Sequence, residues 1–515
     1  MSHRKNRLGC YADLDFNKTV IMQNGTRLAA VDLGSNSFRL EIGQLDHGHI
    51  NRSEYYKEIV RQGNGLDSER NLSAEAMQRG WDCLARFGER LAGFSPTQVR
   101  AVATQTLREA RNRDVFLAKG QDLLGFAIDV IPGHEEARLI YQGVTQLLPQ
   151  SDERRLVLDI GGRSTEIILG QGFDASVMAS YRVGSVAWSM RYFPEGQFTA
   201  AAFQGAEIAA TAILDEAVSV YRPDQWDVAY GSSGTVGAVV DALTAAGGAP
   251  DVITREGLDW LRDRLIKAQS VDRLRLDGVK DDRRAVIGGG LSILRAVFDL
   301  LGISTMQAAQ GALRHGVLYD LLDREMAHSD LRSRTVKRLA VKFDTDAVQA
   351  DRVEAVAVHL LDQLQAGASG TERIRKKLGW AAQLHEVGCQ ISHTDCLKHG
   401  AYILANADAP GFATPELQRL SLLVLGHRGK LRKLDADFED ETFIRQLLCL
   451  RLSALLCHAR RDPDLEGLDI LQREKQFTLQ VTTPWASRFP QSVHLLREEV
   501  GAWQKTAWLL DLAVT

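Results

Sequence analysis

One short pattern occurs twice in this chain. VDLGSNSFRLEIGQ, beginning at Val31, aligns without a gap on LDIGGRSTEIILGQ, beginning at Leu158. Asp32 and Asp159, Gly34 and Gly161, Ser37 and Ser164, Gly43 and Gly170, and Gln44 and Gln171 are identical in that one register. Chance is a poor explanation, so an internal duplication is implied, and with it two similar domains. Each copy reads as an apolar strand, a turn rich in Gly, Ser or Asn, and a second apolar strand, which is a β-hairpin.

The rest of the chain extends this frame. At 515 residues it is too long for one module of roughly 100–200 residues. With 45% hydrophobic and 25% charged residues it is globular in composition. A net charge of −4 argues against a general nucleic-acid coat and requires local cations for any anionic ligand. The six cysteines form no CxxC pair and no zinc spacing, which predicts a reduced chain and a cytoplasmic location. No apolar run reaches about 18 residues, so neither export nor membrane insertion is expected. Residues 1–26 read as an extension, with Met22 an alternative start.

After the first hairpin, Met77, Trp81, Leu84, Phe87 and Leu91 have helical spacing behind Ser73 as N-cap. A strand (VRAVATQTLR), a helix, the strand AIDVIPG and the helical HEEARLIYQGVTQLL follow. The second hairpin leads to a helix at 200–221, the strand WDVAYG, the loop GSSGT, and a strand-turn-helix at MQAAQGALRHGVLYDLL. From about Asp323 amphipathic helices dominate, until KQFTLQVTTP precedes a last helix at 492–507. The expected division is an extension over 1–26, an α/β domain over 27–140, a second over 141–322, a helical domain over 323–470 and an α+β cap over 471–515.

Both hairpins place an Asp before a turn containing Gly and hydroxyls. Glycine lets backbone N–H groups approach phosphate oxygens, hydroxyls add donors, and the carboxylate can hold a metal. An ordinary turn uses the same residues, but two related turns make a phosphate–metal site the better reading. VDLGSNSF (31–38), GHEEAR (133–138), LDIGGRSTE (158–166), GSSGT (231–235) and GALRHG (311–316) together resemble the exopolyphosphatase / guanosine pentaphosphate phosphohydrolase family. That resemblance implies two duplicated ribonuclease-H-like domains of the actin, acetate kinase and sugar kinase superfamily, then a mostly helical HD-like domain and the small cap.

It also implies roles. Glu136 matches the glutamate that activates water. Asp159, Glu166 and Asp32 become the candidates to hold Mg2+, with K+ as a further ion. Gly34, Ser35, Asn36 and Ser37 in one turn, and Gly161, Gly162, Arg163, Ser164 and Thr165 in the other, would bind phosphate. Arg163 stands where the family usually has a small residue, which either disturbs that cradle or adds a cation to it. Arg108 matches a strand-end arginine that holds phosphate. Gly231, Ser232, Ser233, Gly234 and Thr235 form a phosphate loop, or equally a capped strand-to-helix turn.

QLHEVG (383–388) and LVLGHRGK (423–430) resemble a degenerate HD-type domain, but Glu386 replaces the required Asp, so no second metal centre is expected and His385 reads as a packing residue. Arg332, Arg334, Lys337 and Arg338, then Arg375 and Lys376, then His427, Arg428, Lys430, Arg432 and Lys433 form basic clusters. Each alone is a solvated face. Together they would line a channel for a long polyanion. The leading expectation is therefore a processive exopolyphosphatase, a homodimer by resemblance, acting on inorganic polyphosphate. The alternative is a pppGpp 5′-phosphohydrolase. More remote are a phosphotransferase of the same superfamily and a non-catalytic alarmone sensor.

Overall fold

The computed structural model describes residues 23–47, 49–149, 151–325, 331–365 and 371–515. The expected extension, but for its last four residues, and Met22 lie outside them. The first repeat forms β1 (Arg27–Leu33) and β2 (Phe38–Asp46), followed by β3 (His49–Glu58), α1 (Ala74–Arg90), β4 (Val99–Ala103), α2 (Gln105–Glu109), α3 (Arg113–Leu124), β5 (Ile128–Val130) and α4 (Gly133–Thr145). The sheet runs β3-β2-β1-β4-β5, antiparallel through β1 and parallel beyond it. Ser73 Oγ accepts from Ala76 N–H at 3.3 Å, capping α1 as expected. VRAVATQTLR is not one strand: it leaves the sheet at Thr104 and enters α2.

The second repeat rebuilds this order. It comprises β6 (Arg154–Ile160), β7 (Thr165–Gln171), β8 (Asp174–Tyr181), α5 (Ser185–Tyr192), α6 (Ala200–Leu214), α7 (Ala217–Val220), β9 (Val228–Ser232), α8 (Ser233–Ala245), β10 (Val252–Thr254), α9 (Arg255–Ala268), α10 (Asp281–Arg284), α11 (Ile287–Leu301), β11 (Thr305–Ala308) and α12 (Leu313–Glu325). Its sheet order, β8-β7-β6-β9-β11-β10, repeats the first with one added edge strand. Even the irregularities match, because both ladders shift register at the paired glycines, Gly43 and Gly170. A Cβ at Gly43 would lie 2.3 Å from Ile50, and one at Gly170 2.4 Å from Tyr141. Both domains are thus ribonuclease-H-like.

β1 and β6 are apolar on both faces because both are covered. Ala29, Val31 and Leu33 face α1 and α3, whereas Leu28 and Ala30 join a core with α4, α12 and, from the second sheet, Val157, Ile168 and Tyr230. α4 and α12 therefore lie between the sheets and bind the domains into one body. The expected boundaries at 140/141 and 322/323 fall inside these two helices, because each helix packs on both domains.

The helical region comprises α13 (Leu331–Lys342), α14 (Ala347–Leu364), α15 (Thr371–Gln383), α16 (Cys396–Asn406), α17 (Thr414–Gly426) and α18 (Glu441–Leu456). The C-terminal part is β12 (Leu468–Arg473), β13 (Gln476–Val481), α19 (Thr483–Arg488), α20 (Pro490–Trp503) and β14 (Leu509–Val514), with sheet order β12-β13-β14. The cap thus begins three residues before 471, and its closing strand β14 was not foreseen. Its Phe477, Trp503 and Trp508 share one core with Leu360 and Leu447 of the helices. Cys389 and Cys396 form a disulfide, correcting the expectation of a reduced chain. The turn into α16 brings their Cα atoms to 4.4 Å without any CxxC spacing. Among the described residues no helix is long and apolar enough to cross a membrane.

Candidate active site

The two hairpin turns face each other across a cleft of about 280 Å³. Its lining includes Asp32, Gly34, Ser35, Asn36, Ser37, Glu136, Asp159, Gly161, Gly162, Ser164, Ser233 and Gly234, all expected from the sequence. The first turn is anchored by Thr106 Oγ1, which donates to Ser35 Oγ at 2.7 Å, and by Gly63 N–H, which donates to Ser35 O at 2.8 Å. Asn36 lines the cleft, and its Nδ2 is a buried donor without a hydrogen-bond partner among the described residues. A buried unpaired donor costs free energy that an anion entering the cleft would recover.

Glu136 sits in the first turn of α4, only 7% exposed. Arg108 Nη1 donates to its Oε2 at 2.9 Å. Burial pushes its carboxyl up to about 7, against Arg108, and the charges of Asp32 and Asp159 add to the rise. Asp159, 8% exposed at the end of β6, is raised by burial to about 6, against Ser232 and the Arg39 charge. Glu166 on β7 is pushed well above the carboxylate range by burial and by the charges of Glu136 and Asp159. Burial is thus the main cause of all three rises, and each carboxyl's charge adds to a neighbour's, a condition that a divalent cation would relieve. Among the described residues no three His, Cys, Asp or Glu side chains come together as a metal cluster.

Several expected ligands are engaged elsewhere. Arg108 does not line the cleft: beyond Glu136 it binds Ile131 O and Gln105, so it orients the carboxylate. Arg163 turns away to Glu109 Oε2 at 3.2 Å and Gly63 O at 3.1 Å, tying the second domain's turn to the first domain. Thr165 Oγ1 donates to Val183 O, and Glu166 is bonded by Ser180 behind the lining. In the GSSGT loop, Ser232 donates to Gly311 O and Thr235 to Ile160 O, while Gly231 lies within β9; only Ser233 and Gly234 reach the cleft.

Four cations at the cleft were not anticipated: Arg39, Lys57, Arg283 and Arg314. Arg39 Nη1 donates to Asp32 Oδ2 at 3.1 Å, and Arg314 Nε to Glu41 Oε2 at 3.0 Å. Lys57 Nζ reaches Asp282 Oδ2 at 2.6 Å, across the mouth from one domain to the other. Arg283 lies against the Gly234 backbone, where a Cβ would come within 2.1 Å of its Nη2. Burial and the Arg39 charge lower the pKa of Arg283, the mark of a cation short of anions. Arg39 stood inside the internal repeat and Arg314 inside GALRHG, both without a role, whereas nothing local marked Lys57 or Arg283.

Among the described residues, members of the basic clusters of the helical region line two separate cavities. Arg332, Arg334 and Arg338 line a cavity beside α4 and β8. Arg332 and Lys376 line another, with Arg373 and Lys377, beside β4 and β5. Arg332 also lies over the Trp380 ring, Arg375 pairs with Asp362 and Arg428 with Glu386. Lys337, Lys430, Arg432 and Lys433 are exposed and line neither cavity. His427 is 2% exposed and bonds Val424 O, so it faces no channel. His385 is buried against it with ring centroids 5.3 Å apart, in the packing role expected.

Comparison with known proteins places these features in a family. The family described as the Ppx/GppA phosphatase family matches residues 42–325, and Ppx/GppA phosphatase, domain III matches 331–500. A guanosine-5'-triphosphate,3'-diphosphate pyrophosphatase of Photobacterium profundum is 37% identical over 94% of this chain and 97% of its own length. Its counterpart in Vibrio atlanticus is 38% identical with the same coverage. An exopolyphosphatase structure from Cytophaga hutchinsonii matches with a TM-score of 0.52 and 24% identity, covering 58% of this chain and 98% of that one.

Proposed function

Because this chain belongs to the Ppx/GppA phosphatase family, we propose that it hydrolyses the terminal 5′ phosphoanhydride of guanosine pentaphosphate, releasing orthophosphate. The two relatives above, each matched over 97% of its length, are named as pyrophosphatases of guanosine-5'-triphosphate,3'-diphosphate, which favours the second of the two readings drawn from the sequence. The observation that carries the chemistry is Glu136, a buried carboxyl raised to about 7 at the floor of a cleft ringed by both Gly/Ser turns and four cations.

In this reading the turn amides, Asn36, Ser35 and Ser164 hold the phosphate oxygens, and Arg39, Arg283 and Arg314 offset their charge. Glu136 accepts a proton from the attacking water as the new P–O bond forms. The bond from the terminal phosphorus to the bridging oxygen breaks, leaving the nucleotide diphosphate on the other side. Arg108 keeps Glu136 in position. Asp159 and Asp32 would hold Mg2+, with Glu166 behind them. That ion would supply charge neutralisation at the phosphates.

The test is orthophosphate release from pppGpp and from long-chain polyphosphate, with Mg2+, by wild type and Glu136→Gln. Glu136→Gln should lower kcat by about 100-fold or more, the usual worth of a positioned base. The nucleotide should have the higher kcat/KM. A preference for polyphosphate would restore the exopolyphosphatase reading.

A further inference from the structure

Of the described residues that line the cleft, one is aromatic. Tyr55 projects from β3, where it pairs with Glu41 of β2, and remains 40% exposed. Two guanidinium groups flank its ring: Arg314 lies 5.0 Å from the ring centroid and Arg52 5.7 Å. Arg314 is fixed there by Glu41, while Arg52 is exposed. Two residues further along the strand, Lys57 also lines the cleft, so the ring lies beside the cations offered to phosphate.

Phosphate recognition gives no reason for a ring at this place, since the turns and the cations already supply donors and charge. Aromatic faces and arginine planes are the side-chain surfaces on which a nucleobase stacks, and such stacking tolerates any base because each has a π face. We infer that Tyr55, with Arg52 and Arg314, is the shelf on which the purine base of the substrate stacks. Tyr55 is then the residue that separates a nucleotide from an inorganic polyphosphate. The inference rests on the nucleotide reading above and adds to it the place where the base binds.

The experiment measures kcat and KM for pppGpp with the full-length wild type, Tyr55→Phe and Tyr55→Ala. Inorganic tripolyphosphate, read as substrate or as competitive inhibitor, is the base-free comparison. Loss of the ring should raise KM for the nucleotide roughly tenfold, the scale of one base–aromatic stack. In Tyr55→Ala the tripolyphosphate constant should stay near the wild-type value, which also reports that the cleft is intact. Tyr55→Phe, which keeps the ring, should match wild type. Equal losses against both ligands, or an unchanged nucleotide KM, overturn the shelf and leave the nucleotide reading standing. A wild type that releases no orthophosphate from pppGpp overturns that reading, and the shelf with it.

Discussion

Glu136 and its acidic neighbours combine two demands that oppose each other. A base for water must be deprotonated to work, yet burial holds Glu136 at about 7. The acid limb of kcat/KM should therefore rise with pH and level off above about 7, rather than near the roughly 4.3 of an unperturbed Glu. A limb centred near 4 would remove Glu136 from the role. The same shift acts on stability. Between about 4.3 and 7 the folded chain binds a proton at Glu136 that the unfolded chain does not, so the stability it contributes is present at acid pH and lost as pH rises through 7. Without metal, melting temperature should fall from pH 5 to 7.5, and Glu136→Gln should flatten part of that slope. Groups such as Glu41, held at about 2 by His315 and Arg314 against burial, titrate below this window.

At the scale of elements, α4 is the piece the site depends on. Its first turn directs His134 toward Asp408, Glu135 into a buried network and Glu136 into the cleft. Its last turns cross α12 so closely that only glycine fits: a Cβ at Gly316 would lie 1.8 Å from Leu139 O, and one at Gly143 2.2 Å from Ala312 O. Both contacts are with backbone, which cannot rotate away. Gly316→Ala should cost about 1–3 kcal/mol or more as overpacking, read as a lower melting temperature, and should lower kcat through displacement of α4. The sequence carries such elements unevenly. The hairpins were legible because central strands are apolar throughout and the duplication repeats their turns, down to the bulge glycines. β14 and the break at Thr104 were not, because LLDLAV and QTLRE satisfy more than one local pattern and packing decides between them. At the site, Asp32, Asp159 and Glu136 were legible from motifs, but Tyr55 and Arg283 lie far apart in sequence and become site residues only when β3 and α10 meet at the cleft.

In the whole molecule, the helical region grips α4 through the loop at 408–411. Lys430, Arg432 and Lys433 are exposed on a loop that joins neither basic cavity. Reversing all three charges should therefore leave KM for pppGpp within about twofold, as expected of surface charges away from a bound ligand, whereas a marked rise would return this loop to substrate binding. The loop at 408–411 is different. Thr335 Oγ1 donates to Pro410 O at 2.8 Å and Arg338 to Asp408 O at 2.8 Å, fixing it to α13, while Gly411 N–H donates to Glu135 Oε2 at 2.8 Å. Glu135, wholly buried, also takes both arms of Arg138 at 2.8 Å, and Arg138 and Arg100 share Asp320. Removing one carboxylate from such a network leaves buried cations short of charge. Glu135→Ala should therefore cost about 3–5 kcal/mol, whereas Glu135→Gln keeps an acceptor for Gly411 and should cost less. Because Glu135 precedes the proposed base, both variants should also lose kcat at temperatures where they remain folded, with KM nearly unchanged since the turns proposed to bind phosphate lie on other elements. Normal kcat in a folded Glu135→Ala protein would show that the helical region braces the fold without setting the base.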